Sequence, residues 1–141
     1  MSRQVPSWQN SNNASASVAW LKKQIVRMHM ADCLFCKIRD GEIPADIIYK
    51  DDDMLAFRDI HPKAPVHFLV IPRRHIENLF DVTESDTGLL GRIQLMIPEI
   101  AKQQGLDSGF RTVLNTGPGG HQEVYHMHYH VLGGGPFTGF N

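Results

Sequence analysis

Tyr125-His126-Met127-His128-Tyr129-His130-Val131-Leu132 is the stretch on which the reading of this chain turns. Histidine alternates there with larger apolar or aromatic residues, the period-two pattern of a β-strand. Successive side chains of a strand point to opposite faces, so His126, His128 and His130 share one face while Met127, Tyr129 and Val131 pack into a core. Three imidazoles in a row are hard to explain as packing, and two chemistries fit them. Together they can ligate one zinc and leave a position for an activated water. Alternatively, one imidazole attacks phosphorus while its neighbours and a distant histidine orient it. The flanks favour the second reading. No carboxylate stands at the offset expected of a hydrolytic metal centre, whereas Asn115-Thr116-Gly117-Pro118-Gly119-Gly120 lies just upstream. Its backbone N–H groups are expected to form a concavity for an anion.

Working outward, residues 45–49 and 54–59 read as two short strands joined by an acidic turn at 51–53. Residues 66–71 form a third strand ended by Pro72. Thr83 with Asp86 supplies an N-cap and a nearby acid for a long helix. Leu89, Ile93, Met96, Ile97 and Ile100 recur at helical spacing, Gly105 marks the end, and Pro98 should kink the helix. Residues 110–115 are a fourth strand, 116–123 a glycine-rich loop and 124–132 the fifth strand. Strands adjacent in sequence and joined by short connections imply an antiparallel five-stranded sheet backed by a helix, an α+β domain.

Composition narrows the function classes. The chain has 141 residues, 42% apolar and 21% charged, enough for one domain with a core of its own. A net charge of -1 argues against nucleic-acid binding through bulk electrostatics. No apolar run is long enough to span a membrane. Residues 1–30 contain no Asp or Glu but carry Arg3, Lys22, Lys23 and Arg27. Such a segment is either an organelle transit peptide or a leader ahead of a start at Met30, leaving a cytoplasmic protein in the second case. Either way it is expected to be poorly ordered and to stand apart from a domain over residues 31–141. The only cysteines, Cys33 and Cys36, are too few for a secreted disulfide scaffold of this size. They suit a reducing compartment, as a metal, redox or merely structural pair.

His126-Met127-His128-Tyr129-His130-Val131-Leu132, followed by two glycines, resembles the His-φ-His-φ-His-φ-φ signature of the histidine triad (HIT) family, with φ apolar. Further segments match in order: Cys33-Leu34-Phe35-Cys36-Lys37-Ile38, Glu42-Ile43-Pro44-Ala45, Leu55-Ala56-Phe57-Arg58-Asp59-Ile60, His67-Phe68-Leu69-Val70-Ile71-Pro72 and His75-Ile76. The likeness runs from residue 31 to about 135 and is greatest to the Hint group of purine nucleoside phosphoramidases. His130 supports a hydrolase, since the nucleotidyltransferase branch has glutamine there. The resemblance implies a HIT-like fold with one long helix and a short one.

The roles it implies are specific. His128 corresponds to a nucleophile that forms a nucleotidyl-histidine intermediate, and His67 and His130 to the histidines that complete the site. Asp59 corresponds to the carboxylate that accepts from the ribose hydroxyls, and Asn115 to a polar contact near the phosphate. Leu34, Phe35, Ile38, Phe57, Ile60 and Leu69 correspond to the apolar walls around a purine, although any one alone reads as ordinary core. In some bacterial-type members the residues matching Cys33, Cys36, His75 and His126 bind a structural zinc; no cofactor serves catalysis. The implied ligand is a purine nucleotide resembling AMP or GMP. The implied assembly is a homodimer through the long helix or a sheet edge, with neither nucleic acid nor membrane as partner. The tail, with Phe137 and Phe140, could reach a partner's site.

Two positions depart from the pattern. His121 stands where glycine is common, and Glu123 where some members have a serine that donates to the leaving group. Lys63, Arg73 and Arg74 read first as solvated surface. Two other functions stay open: hydrolysis of dinucleoside polyphosphates, and a regulatory module that merely binds nucleotide.

Overall fold

Five strands among the described residues build one antiparallel sheet in the computed structural model, which describes residues 18–22 and 32–139. They are β1 (Ile47–Lys50), β2 (Met54–Arg58), β3 (Val66–Pro72), β4 (Arg111–Leu114) and β5 (Tyr129–Gly133), in the order β1-β2-β3-β5-β4. A short helix α1 (Leu34–Arg39) precedes the sheet, and the long helix α2 (Thr87–Gln103) lies between β3 and β4 in sequence. The expected α+β arrangement is therefore present. The chain divides into two units, Met1–Cys33 and Leu34–Asn141. In the first, residues 18–22 are helical. The rest of the expectation for residues 1–30 lies outside the described residues.

Strand alternation gives the sheet two different faces. Met54, Ala56, Phe68, Val70, Met127, Tyr129 and Val131 share a core with Ile93, Ile97, Ile100 and Ala101 of α2. The helix residues recur at spacings of four, three and one, which keeps one stripe against the sheet. Each fully buried isoleucine contributes about 1.5–3 kcal/mol. The capping pair acts one turn earlier than expected. Thr83 N–H donates to Asp86 Oδ2 at 2.9 Å across a 3-10 turn, Glu84–Asp86, that leads into α2. The helix then runs unbroken through Pro98. Its end is fixed by Gly105, at φ 86°, with two bonds back: Gly105 N–H to Lys102 O and Leu106 N–H to Ala101 O. That pairing needs a left-handed residue, which glycine adopts without strain.

The opposite face carries the candidate site residues. Phe57 pairs with Leu69, Leu69 with His130, and His130 with Val113, so one row crosses four strands. Directly paired residues project to the same side. Phe35 of α1 meets Phe57 edge-on, with ring centroids 5.4 Å apart. At the far end of β5, a Cβ on Gly133 would lie 2.7 Å from Leu106, so a side chain there would displace a core residue. Arg111 stacks over Phe137 at 4.3 Å and donates to the Gly139 carbonyl, which ties residues 137–139 to their own β4. Phe140 lies outside the described residues. No helix among the described residues is long and apolar enough to cross a membrane.

One sequence expectation needs correction. The fifth strand starts at Tyr129 rather than at residue 124, and His126 and His128 precede it. There the backbone leaves the ladder: Met127 N–H donates to Ile76 O at 2.7 Å, and the His126 carbonyl accepts from the His128 ring. The ladder ends there, but the alternation of surroundings continues: Met127 lies in the core with Tyr129 and Val131, while His126 and His128 both meet Phe35 edge-on.

Candidate active site

A cavity of about 500 Å³ opens on the sheet face away from α2. Leu34, Phe35, Ile38, Phe57, Ile60 and Leu69 all line it, as do Asp59, His67, Asn115, His128 and His130. The apolar residues are not equivalent. Phe35, Ile38, Phe57 and Leu69 are buried, whereas Leu34 is half-exposed and Ile60 is 84% exposed, which places Ile60 at the rim. Lys63 also lines the cavity, so it is not simply solvated surface; Arg73 and Arg74 do not line it, and Arg74 pairs with Asp86. Sequence reasoning missed the walls formed by Ile43, Val113 and Val124. Val113 was recoverable in principle, since its register places it beside His130.

The histidine tautomers follow from their neighbours. Lys63 N–H donates to His67 Nδ1 at 3.0 Å, so the His67 proton sits on Nε2. That proton is donated to His130 Nδ1 at 2.9 Å, with Asp59 Oδ2 a longer 3.4 Å away. His130 accordingly carries its own proton on Nε2. His128 is fixed the other way round: Nδ1–H donates to the His126 carbonyl at 2.8 Å, leaving the lone pair on Nε2. The His128 and His130 rings lie 5.0 Å apart, and Phe35 packs edge-on against His128 at 5.1 Å.

Burial keeps this row neutral. It pushes the His128 imidazole below its ordinary value, against the opposing pull of the His126 carbonyl bond. Burial likewise lowers His67, although Asp59 draws it upward. His130 is pushed down to about 4, by burial first and then by His128 and His67. Asp59 is held in turn, since its Oδ1 accepts from His61 N–H at 2.8 Å.

The glycine-rich loop departs from expectation. Its amides were expected to face an anion, but several are committed within the loop. Gly117 N–H donates to Gln122 Oε1 at 2.9 Å, while Gly120 and Gln122 N–H donate to Gly117 O and His121 N–H to Pro118 O. The buried Gln122 anchors the segment by also accepting from Asn78 Nδ2 and donating to the Glu77 and Val124 carbonyls. Nothing in the linear pattern singled out Gln122. A lone glutamine has no spacing signal.

His126 belongs to a different neighbourhood. It is fully buried, does not line the cavity, and donates from Nε2 to Pro72 O at 2.8 Å. Its Nδ1 lies 3.5 Å from Cys36 Sγ, which in turn lies 3.4 Å from His75 Nδ1. The donor atoms of Cys36, His75 and His126 all lie within 4.8 Å of one another. One thiol and two imidazoles at this spacing suit zinc, and the Pro72 carbonyl fixes the His126 tautomer that a metal on Nδ1 requires. Cys33, the remaining residue of the expected set, is the last residue of the other unit.

Comparison with known proteins agrees with this geometry. Residues 32–137 match the family model described as scavenger mRNA decapping enzyme, C-terminal binding. An uncharacterised HIT-like protein of Synechococcus elongatus is 56% identical over 103 residues, covering 73% of this chain and 90% of that one. A 14 kDa zinc-binding protein of Brassica juncea is 50% identical over 105 residues, covering 73% and 93%. The crystal structure of a HIT family hydrolase from Legionella pneumophila superposes with a TM-score of 0.74 at 49% identity, over 77% of this chain and 97% of its own. The chain belongs to the histidine triad family.

Proposed function

We propose that the protein is a hydrolase that cleaves the P–N bond of purine nucleoside 5'-phosphoramidates through a nucleotidyl-histidine intermediate. The observation that carries this reading is the tautomer of His128, whose Nε2 lone pair is left available by the bond from Nδ1–H to the His126 carbonyl. A hydrolase among the structural relatives supports the reaction class. In the first step Nε2 attacks phosphorus and the P–N bond breaks. The leaving amine takes up a proton from water, because an amide anion is too basic to depart. His130, pushed down to about 4, is neutral at pH 7 and acts as a hydrogen-bond donor from Nε2. In the second step water attacks phosphorus, releases the nucleoside monophosphate and returns the proton to solvent. The apolar slot takes the purine, the Asp59 carboxylate the ribose hydroxyls, and Asn115 a phosphate oxygen.

Turnover of adenosine 5'-phosphoramidate against diadenosine tetraphosphate tests the assignment. Faster cleavage of the phosphoramidate is expected; preference for the dinucleotide, or no turnover of either, rejects it. We further propose that Cys33, Cys36, His75 and His126 hold a structural zinc; the donor geometry of Cys36, His75 and His126 and the zinc-binding relative support it, and Cys33 enters through the family resemblance. The ion would tie the segment around α1 to the chain leading into β5. Phe110 and Val113 near the β4 edge and Leu95 on α2 are partly or largely exposed. They support a homodimer, which sedimentation would detect.

A further inference from the structure

Among the described residues, the carboxylates lining the cavity are those of Asp59 and Glu123. They act at different places along the histidine row. Asp59 lies beside His67, at 3.4 Å from its Nε2, and Lys63 shares that end, its amide bonded to the same ring. Glu123 belongs to the loop that leaves β4 after Leu114, whose partner Tyr129 adjoins His128, whereas Asp59 follows Arg58, whose partner Phe68 adjoins His67. In order, the groups run Asp59, His67, His130, His128, with ring centroids 5.2 and 5.0 Å apart along the way. A nucleotide with its ribose at Asp59 and its phosphorus at His128 therefore directs its leaving group toward Glu123.

We propose that Glu123 selects substrates whose leaving amine bears a second, positively charged nitrogen. This rests on the phosphoramidate reading. The other ion-pair partner of Glu123 among the described residues is His121, at 3.3 Å, and both side chains are largely exposed. His121 holds a left-handed backbone, φ 62° and ψ 37°, at the end of the Pro118–Gly120 turn, which sets its ring beside Glu123. His121 thus occupies the carboxylate in the absence of substrate, and a permanently charged ammonium displaces a ring that is charged only when protonated.

Two adenosine 5'-carbamates that the enzyme cannot hydrolyse test this, one N-substituted with butyl and the other with 3-aminopropyl. They match in length and differ in charge. The native protein is expected to bind the ammonium ligand about three- to fivefold more tightly at low salt, the range of an exposed ion pair. Glu123→Gln removes the preference, Glu123→Lys inverts it, and His121→Gly enlarges it. Equal binding by the native protein, or a preference that survives Glu123→Gln, overturns the proposal. Because neither ligand turns over, absence of phosphoramidate hydrolysis would reject the reaction while leaving this discrimination measurable. Failure of both carbamates to bind rejects the nucleotide site itself.

Discussion

His126 and His128 stand two residues apart and use opposite nitrogens. His126 donates from Nε2 to the Pro72 carbonyl and turns Nδ1 toward Cys36, whereas His128 donates from Nδ1 to the carbonyl of His126 and keeps Nε2 for the cavity. The residue type is the same, and a backbone acceptor decides the role in each case. On the proposed function, the first imidazole serves structure and the second attacks phosphorus. One peptide carbonyl, that of His126, joins the two regions.

The comparison breaks most sharply at His128. His128→Ala should lower phosphoramidate turnover by at least about a thousandfold, because covalent participation is lost. Near-native turnover in that variant, measured on protein of unchanged Tm, would remove the division of labour. His126→Ala should do the reverse. It empties a fully buried site, costing about 2–5 kcal/mol in urea unfolding, yet keeps the carbonyl that orients His128. Turnover at low temperature should stay within about tenfold of native. In the same region, a zinc chelator should lower Tm by at least about 4 °C in the native protein and leave Cys36→Ser unmoved. An equal response of both would sever the cysteine from the metal.

Smaller effects sharpen the contrast. Gln122→Ala leaves the Gly117 N–H and the Glu77 and Val124 carbonyls without their partner, a loss of about 1–3 kcal/mol detectable in Tm. Smallest is the pH response. Burial lowers His128, so the reactive neutral ring persists below its ordinary value of 6.5, and kcat/KM should stay flat through neutrality with its acid limb below that pH. The linked stability has the same sign. The unfolded chain takes up protons that the buried histidines resist, so their contribution is complete above about pH 6.5 and drains away toward 4, where His130 titrates. A limb centred above 6.5 would contradict the burial of His128.

Much of this was legible in the residues. The apolar runs at 54–57 and 66–71 and the helical spacing of Ile93, Ile97 and Ile100 report burial directly, and burial is what such patterns encode. The family signature brought His67, His128 and His130 to one cavity. Bonds between segments were not legible. The Met127 N–H to Ile76 carbonyl bond ends the strand early, and the demand of Gln122 on Gly117 closes the loop. Neither leaves a period, because each joins one residue to one distant backbone atom. Ile60 shows the converse limit, since an apolar letter cannot tell a cavity rim from a core.

The row Phe57–Leu69–His130–Val113 lies across the strands rather than along one. A slip of β5 by two residues would keep every face correct, yet move His130 about 7 Å along its strand and out of its register with Leu69. Such a mispaired chain would look folded by circular dichroism and be inert. Activity per mole of folded material is therefore a gauge of assembly fidelity for this sheet, finer than any spectroscopic measure of strand content.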